Sequence, residues 1–252
     1  MVTFTAGQLE AWVALGLLPF LRLLALFSAA PILSSRSFPA RSRIALAAVM
    51  AILVAPFAEV PPGLTLTSAS ALGLVVQQVS IGLTLGFAAR LVFAVFEIAG
   101  EAIGLQMGLS FAGFFNPAGG HQSIVSSWLN TLAMLVFLSL NGHLMLLDAL
   151  VTSFKVFPIS ADPLMGLQLI QLDKLGSEVF RLALALALPA SIMLLFINLV
   201  LGYVSRVAPQ LNIMAVGFPA TLLAGLAWIT FGMDHIVSPI DEAMRLVLAP
   251  LR

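Results

Sequence analysis

The run from Val179 to Ser205, VFRLALALALPASIMLLFINLVLGYVS, decides the class of fold. A helix on a water-soluble core carries an apolar stripe and a polar face. This run is apolar on every face, and at ~1.5 Å per residue it is long enough to cross the ~30 Å hydrocarbon core of a bilayer. Working outward, similar runs lie at Ala11–Leu33, Ile44–Ala58, Leu72–Phe96, Ile124–Leu147 and Ile213–Met233. The run from Ile44 is short, reaching only about 22 Å as a helix. Of 252 residues, 61% are hydrophobic and 9% charged, with a mean hydropathy of +1.11, whereas soluble domains are about half apolar. The expected fold is therefore all-α: a polytopic membrane protein of about six long hydrophobic helices arranged as hairpins. It fills residues 1–252 as a single membrane-embedded domain, with an amphipathic tail at 234–252 where Ile236, Val237, Ile240, Met244, Leu246 and Val247 alternate with charges.

The connectors carry turn chemistry, such as Pro61-Pro62-Gly63, Asn116-Pro117, Gly119-Gly120 and Asp162-Pro163. Arg36, Arg41 and Arg43 place the first connector inside, because Lys and Arg are enriched in cytoplasmic loops. With about six spans, both termini then fall outside. Met1–Glu10 has an acid and no basic residue ahead of its apolar run, so that run is expected to be retained rather than cleaved.

Several functions are excluded by composition. The formal net charge is zero, so no basic surface for nucleic acid is indicated. There is no cysteine, hence no disulfide, zinc thiolate or redox thiol. Hydrolase, zinc-peptidase and phosphate-loop signatures are absent, and His121, His143 and His235 lie in separate segments. The expected catalytic, cofactor-binding and metal-binding residues are accordingly none.

Polar residues inside apolar runs are costly unless paired. Arg22, Gln77, Gln78, Asn130, Asn141, His143, Asp148 and Asn198 are such residues; they read either as a solute pathway or as interhelical hydrogen bonding. Glu97 and Glu101 share a helix face at the end of the third run and read as interfacial or subunit contacts. Gly82, Gly86, Gly100, Gly104 and Gly108 stand four apart in two groups, a ridge where a helix from this chain or another subunit approaches closely. Pro19, Pro189 and Pro219 interrupt helical hydrogen bonding within their runs. The segment Leu85–Arg90 echoes Leu201–Arg206, a weak sign of an internal repeat.

The stretch Gly108–Gly120, GLSFAGFFNPAGG, is unusual for a connector. Phe111, Phe114 and Phe115 are ill suited to an aqueous loop, while Gly113, Asn116, Pro117, Gly119 and Gly120 oppose a regular helix. Irregular backbone at membrane depth is tolerated only inside protein or beside a water-filled cavity. The segment thus reads as a re-entrant or plug-like loop, the alternative being an interfacial loop whose phenylalanines enter the headgroups.

The run Gly202–Pro219, GYVSRVAPQLNIMAVGFP, resembles the G-x-x-x-R-x-x-P-Q-x-N-x-x-x-x-G-[FL]-P stretch of the FliR family, the export-gate subunits of flagellar and related type III secretion systems. Gly104–Ser110 followed by Asn116-Pro117, and Asn141-Gly142-His143, resemble further family motifs in the same order. The resemblance implies a non-enzymatic pore subunit in the bacterial inner membrane and flagellar basal body. Its implied partners are FliP-type and FliQ-type pore subunits, an FlhB-type switch protein and exported proteins in transit, with membrane lipid around it. It further implies that Phe111–Gly120 is the plug of the lumen and that Arg206, Pro209, Gln210 and Asn212 form a structural corner or subunit contact. Asn116 stands where the family often has Asp, so no charge-based role is implied there. The resemblance also implies hairpins lying partly above the bilayer plane. A secondary carrier or channel for a small solute is the alternative that broken helices and buried polar groups allow.

Overall fold

Five of the six apolar runs each become one helix with shifted ends, and the run from Ile124 becomes two. The computed structural model describes the chain apart from residues 1–5, 36–37, 59–68, 110–122, 160–171, 211–212, 233–238, 240 and 246–252. Among the described residues there is no strand, and besides the helical residues 241–245 there are seven α-helices: α1 (Ala6–Ala29), α2 (Ala40–Val54), α3 (Ala69–Gln106), α4 (Ile124–Ser139), α5 (Gly142–Val156), α6 (Leu172–Val207) and α7 (Ile213–Phe231). A 3-10 turn at Ala55–Phe57 prolongs α2.

Several expected boundaries need correction. The first helix stops at Ala29, short of Pro31, because the residue before a proline is disfavoured in α conformation. The second starts at Ala40, so Arg41 and Arg43 belong to its first turn and not to a connector. The third runs ten residues beyond Phe96, placing Glu97 and Glu101 within a helix. The single run Ile124–Leu147 is two helices, broken at Asn141, whose φ of 56° and ψ of 31° are left-handed. Asn enters this region more readily than most residues because its short polar side chain bonds locally.

By length and composition, α1, α2 with its 3-10 turn, α3 and α6 are each able to cross a membrane, or five spans if α4 and α5 are one broken span. Among the described residues, the apolar part of α7, Ala215–Phe231, is shorter than these spans.

The described chain divides into two compact units: residues 1–91, 141–175 and 244–252, and residues 92–140 and 176–243. In the first, Ala14, Leu18, Arg22 and Leu26 recur every four positions and form the buried face of α1, which buried Ala30 continues just past the helix end. Ala47, Ala51 and Val54 bury the matching face of α2, which packs on α1, while Ile44, Val49, Ile52 and Leu53 stay exposed. Helix α3 runs parallel to α1, its Gly82 beside Arg22 and its Gly86 beside Leu26 and Ala29. A Cβ at Gly82 would strike the carbonyl oxygen of Arg22, and one at Gly86 would stand 2.5 Å from the Ala29 Cβ. Such close approach gives dispersion contact where lipid offers no hydrophobic drive.

In the second unit, α3 and α4 form an antiparallel hairpin: Phe93 meets Phe137 with ring centroids 5.3 Å apart, and Gly100 meets Ser126. Val125, Leu129, Ala133 and Phe137 supply the buried four-residue repeat of α4. On α7 the stripe is Gly217, Thr221, Gly225 and Ile229. Gly225 accommodates the Met107 side chain, and the Thr221 hydroxyl lies 3.3 Å from the Met107 carbonyl oxygen. Of the tail, Asp241–Arg245 is helical, with Ala243 and Met244 buried; residues 246–252 lie outside the described part.

Candidate functional site

The expected plug residues Phe111, Gly113, Phe114, Phe115, Asn116, Pro117, Gly119 and Gly120 lie outside the described residues. The residues on either side of them are described. Helix α3 ends in a Schellman motif. The Gly108 N–H donates to the Leu105 carbonyl at 3.1 Å and the Leu109 N–H to the Gly104 carbonyl at 3.0 Å. Gly108, at φ 81°, occupies the left-handed position that this motif requires, and its Cα faces the Phe218 ring. Gly108 therefore ends the helix, unlike Gly100 and Gly104, which make room for a neighbour.

That neighbour is the start of α4. Ser123 is its N-cap: its hydroxyl accepts from the Ser126 N–H at 3.1 Å and donates to the Gly100 carbonyl at 3.3 Å. Its own N–H donates to Glu101 Oε1 at 2.6 Å. In a capping box one helix supplies both halves of this reciprocal pattern. Here the carboxylate comes from α3, and it sits at a helix N-terminus where negative charge is favoured. The Ser126 hydroxyl adds a bond to the Glu97 carbonyl oxygen at 3.1 Å.

A second polar cluster lies in the other unit. Arg22, fully buried, donates from Nε to Gln78 Oε1 at 2.7 Å, from one terminal nitrogen to Ser153 Oγ at 2.9 Å, and from the other to the Phe157 carbonyl at 3.0 Å. Its guanidinium lies 3.9 Å from the centre of the Phe154 ring. Gln78 donates on to Gln77 at 3.1 Å, and Gln77 to the Pro158 carbonyl at 3.3 Å. Among the described residues every partner of Arg22 is neutral, so the cluster joins α1, α3 and α5 without an ion pair.

Other polar residues of the apolar runs stand in different surroundings. His143 is exposed, Asn141 breaks a helix, and Asn198 donates to the Gln106 carbonyl at 3.3 Å. His121 and His235 lie outside the described residues, among which no group of three or more His, Cys, Asp or Glu is placed to hold a metal. Arg206, Pro209 and Gln210 are exposed at the end of α6; Asn212 lies outside the described residues. Gly86 is packed whereas its echo Gly202 faces open space, so the two segments occupy different environments.

A family model described as bacterial export proteins, family 1, matches residues 13–247. The chain belongs to this family. Relatives called flagellar biosynthetic protein FliR support the assignment. That of Escherichia coli strain K12 is 44% identical over 260 positions, covering 100% of this chain and 99% of the relative. That of Pectobacterium carotovorum is 41% identical over 262 positions, covering 100% and 99%. That of Bacillus subtilis strain 168 is 31% identical over 240 positions, covering 94% and 92%. The resemblance carried by the Gly202–Pro219 run is thus borne out over the full chain.

Within this bacterial export protein, Glu101 and Ser123 were not singled out by sequence as partners. A signal existed, since a serine opening an apolar run is an N-cap signature. The carboxylate that completes the cap lies on a different helix, and short-range patterns do not reach it.

Proposed function

We propose that this export protein is a non-enzymatic pore subunit of the flagellar type III export apparatus in the bacterial inner membrane. In this reading it helps form, and with Phe111–Gly120 plugs, the channel through which unfolded proteins cross. FliP-type and FliQ-type subunits complete the wall, and an FlhB-type switch protein adjoins the entrance.

The observation that carries the assembly reading is the exposed side of α6. Phe180, Leu184, Leu188, Ile192, Phe196, Leu199, Tyr203 and Val207 are all exposed. From first to last they extend about 40 Å along the helix. A bilayer core is ~30 Å thick and an average tilt of ~20° shortens the projection only slightly. Lipid alone leaves part of this apolar surface in water, and neighbouring subunits supply the missing cover. The exposed Arg206, Pro209 and Gln210 at its end serve the same contact.

Co-expression with FliP-type and FliQ-type subunits, followed by native mass measurement in mild detergent, tests this. A discrete hetero-oligomer containing one copy of this chain is expected. A lone monomer or homodimer that ignores those subunits, and that carries a small solute into liposomes, refutes the proposal in favour of a carrier.

A further inference from the structure

We propose that Arg41, Arg43 and Arg90 form a cationic rim at one end of the first unit that binds the headgroups of anionic phospholipids, with the exposed face of α2 lying against their acyl chains. This rests on the membrane location above.

The charge distribution is one-sided. The whole chain is neutral, yet residues 11–96 hold five arginines (Arg22, Arg36, Arg41, Arg43 and Arg90), no lysine and a single acid, Glu59. Arg22 is buried and bonded within the bundle. Arg41 and Arg90 are exposed and Arg43 is half-buried, and among the described residues none of the three joins an ion pair. The Arg43 Nε is buried without an acceptor. A donor taken from water and left unpaired is costly, and an oxygen ligand reaching it removes that cost.

The fold brings the three to one level. Helix α3 runs parallel to α1 with Gly86 beside Ala29 and Ala30. Arg90, one helical turn further on, therefore stands just past the end of α1. There the chain turns, with the Ser34 N–H donating to the Ala30 carbonyl at 2.9 Å, and α2 starts at Ala40. Both α2 and the 3-10 turn at its far end pack on α1. Helix α2 thus runs back along α1, and its first turn, with Arg41 and Arg43, lies at the same end as Arg90.

From Ala69 to Ala89, α3 rises about 30 Å, the thickness of one hydrocarbon core. An arginine at that height meets headgroups. Below the rim, Ile44, Val49, Ile52 and Leu53 leave apolar surface exposed on α2, which holds no acid. The guanidinium fork matches paired phosphate oxygens. A net-negative lipid adds an attraction that a zwitterionic lipid, with the same phosphate beside an ammonium, lacks.

The test is native mass measurement of the full chain released from nanodiscs of phosphatidylglycerol and phosphatidylcholine in equal amounts, counting the lipids retained. The unaltered chain is expected to retain phosphatidylglycerol in preference. Arg41→Gln with Arg90→Gln should weaken that preference about fivefold for each arginine replaced. Lys155→Gln removes an exposed charge of α5 instead and should leave it unchanged. Equal retention of the two lipids by the unaltered chain overturns the rim and leaves the membrane location standing. A chain that stays dispersed without lipid or detergent overturns both.

Inorganic phosphate is expected not to displace the retained phosphatidylglycerol; displacement shows a site for the free ion and overturns the lipid assignment. In the complex with FliP-type and FliQ-type subunits the preference should persist. Its loss there assigns the arginines to acidic groups of a partner and overturns the proposal. Should the double variant fail to fold, the unaltered chain at rising ionic strength serves, since attraction between exposed charges and headgroups is screened by salt. A preference that salt leaves unchanged overturns the charge-based rim.

Discussion

Arg22 reaches Gln78 across two helices: Nε lies 2.7 Å from Oε1, and neither side chain meets solvent. A cation buried in a helical bundle without a counter-charge has a large desolvation cost unless its donors are satisfied. Gln78, Ser153 and the Phe157 carbonyl do this in three directions, and the Phe154 ring adds a cation–π contact. Three helices are thereby fixed in register by one side chain.

Gln78→Leu removes an acceptor and leaves the guanidinium under-satisfied. The expected loss is about 1.5–3 kcal/mol, read as a lower unfolding temperature in detergent. In a double-mutant cycle with Arg22→Met the two changes should be less than additive by ~1–3 kcal/mol. Simple additivity would mean that the pair does not couple.

Arg22→Lys keeps the charge but loses the planar fork. An ammonium cannot serve the three acceptors at their observed directions while also stacking on Phe154. It should unfold at a lower temperature than the unaltered protein, by an equivalent of about 2 kcal/mol. Equal stability would show that charge alone is needed.

The glycines separate into two groups by what surrounds them. Gly82→Ala places a methyl group against the Arg22 backbone and should cost about 1–3 kcal/mol, or force α1 and α3 apart. Gly202 has nothing within 4 Å of an added Cβ, and Gly202→Ala should stabilise by roughly 0.5–1 kcal/mol through helix propensity. Thermal unfolding of the isolated subunit in detergent compares them directly. A gain at Gly202 that disappears in the assembled complex would place a partner against that position.

Asn141 carries the break between α4 and α5 in a left-handed conformation. Asn141→Gly should be nearly neutral, whereas Asn141→Val should cost ~1–2 kcal/mol from the clash of a branched side chain with the carbonyl oxygen. If valine is tolerated with no loss of unfolding temperature, the two helices join into one without penalty.

The all-helical membrane class was legible in the sequence because it depends on local quantities: run length, hydropathy and the scarcity of charge between Val179 and Ser205. The glycines at 82, 86, 100, 104 and 108 were legible as a group, yet their separate uses were not. Gly82 and Gly86 admit α1, Gly100 and Gly104 admit the start of α4, and Gly108 turns the chain. Identical residues at identical spacing serve differently because spacing along one helix does not specify which helix lies across from it. The same holds for Arg22, whose acceptors stand 56 to 135 positions away. Sequence by itself determined that these segments are helices seeking an apolar surrounding and that a buried arginine needs partners. Only tertiary structure decided which partners, because in lipid the choice among helix faces is made by close packing and directed hydrogen bonds, and both depend on groups far apart in the chain.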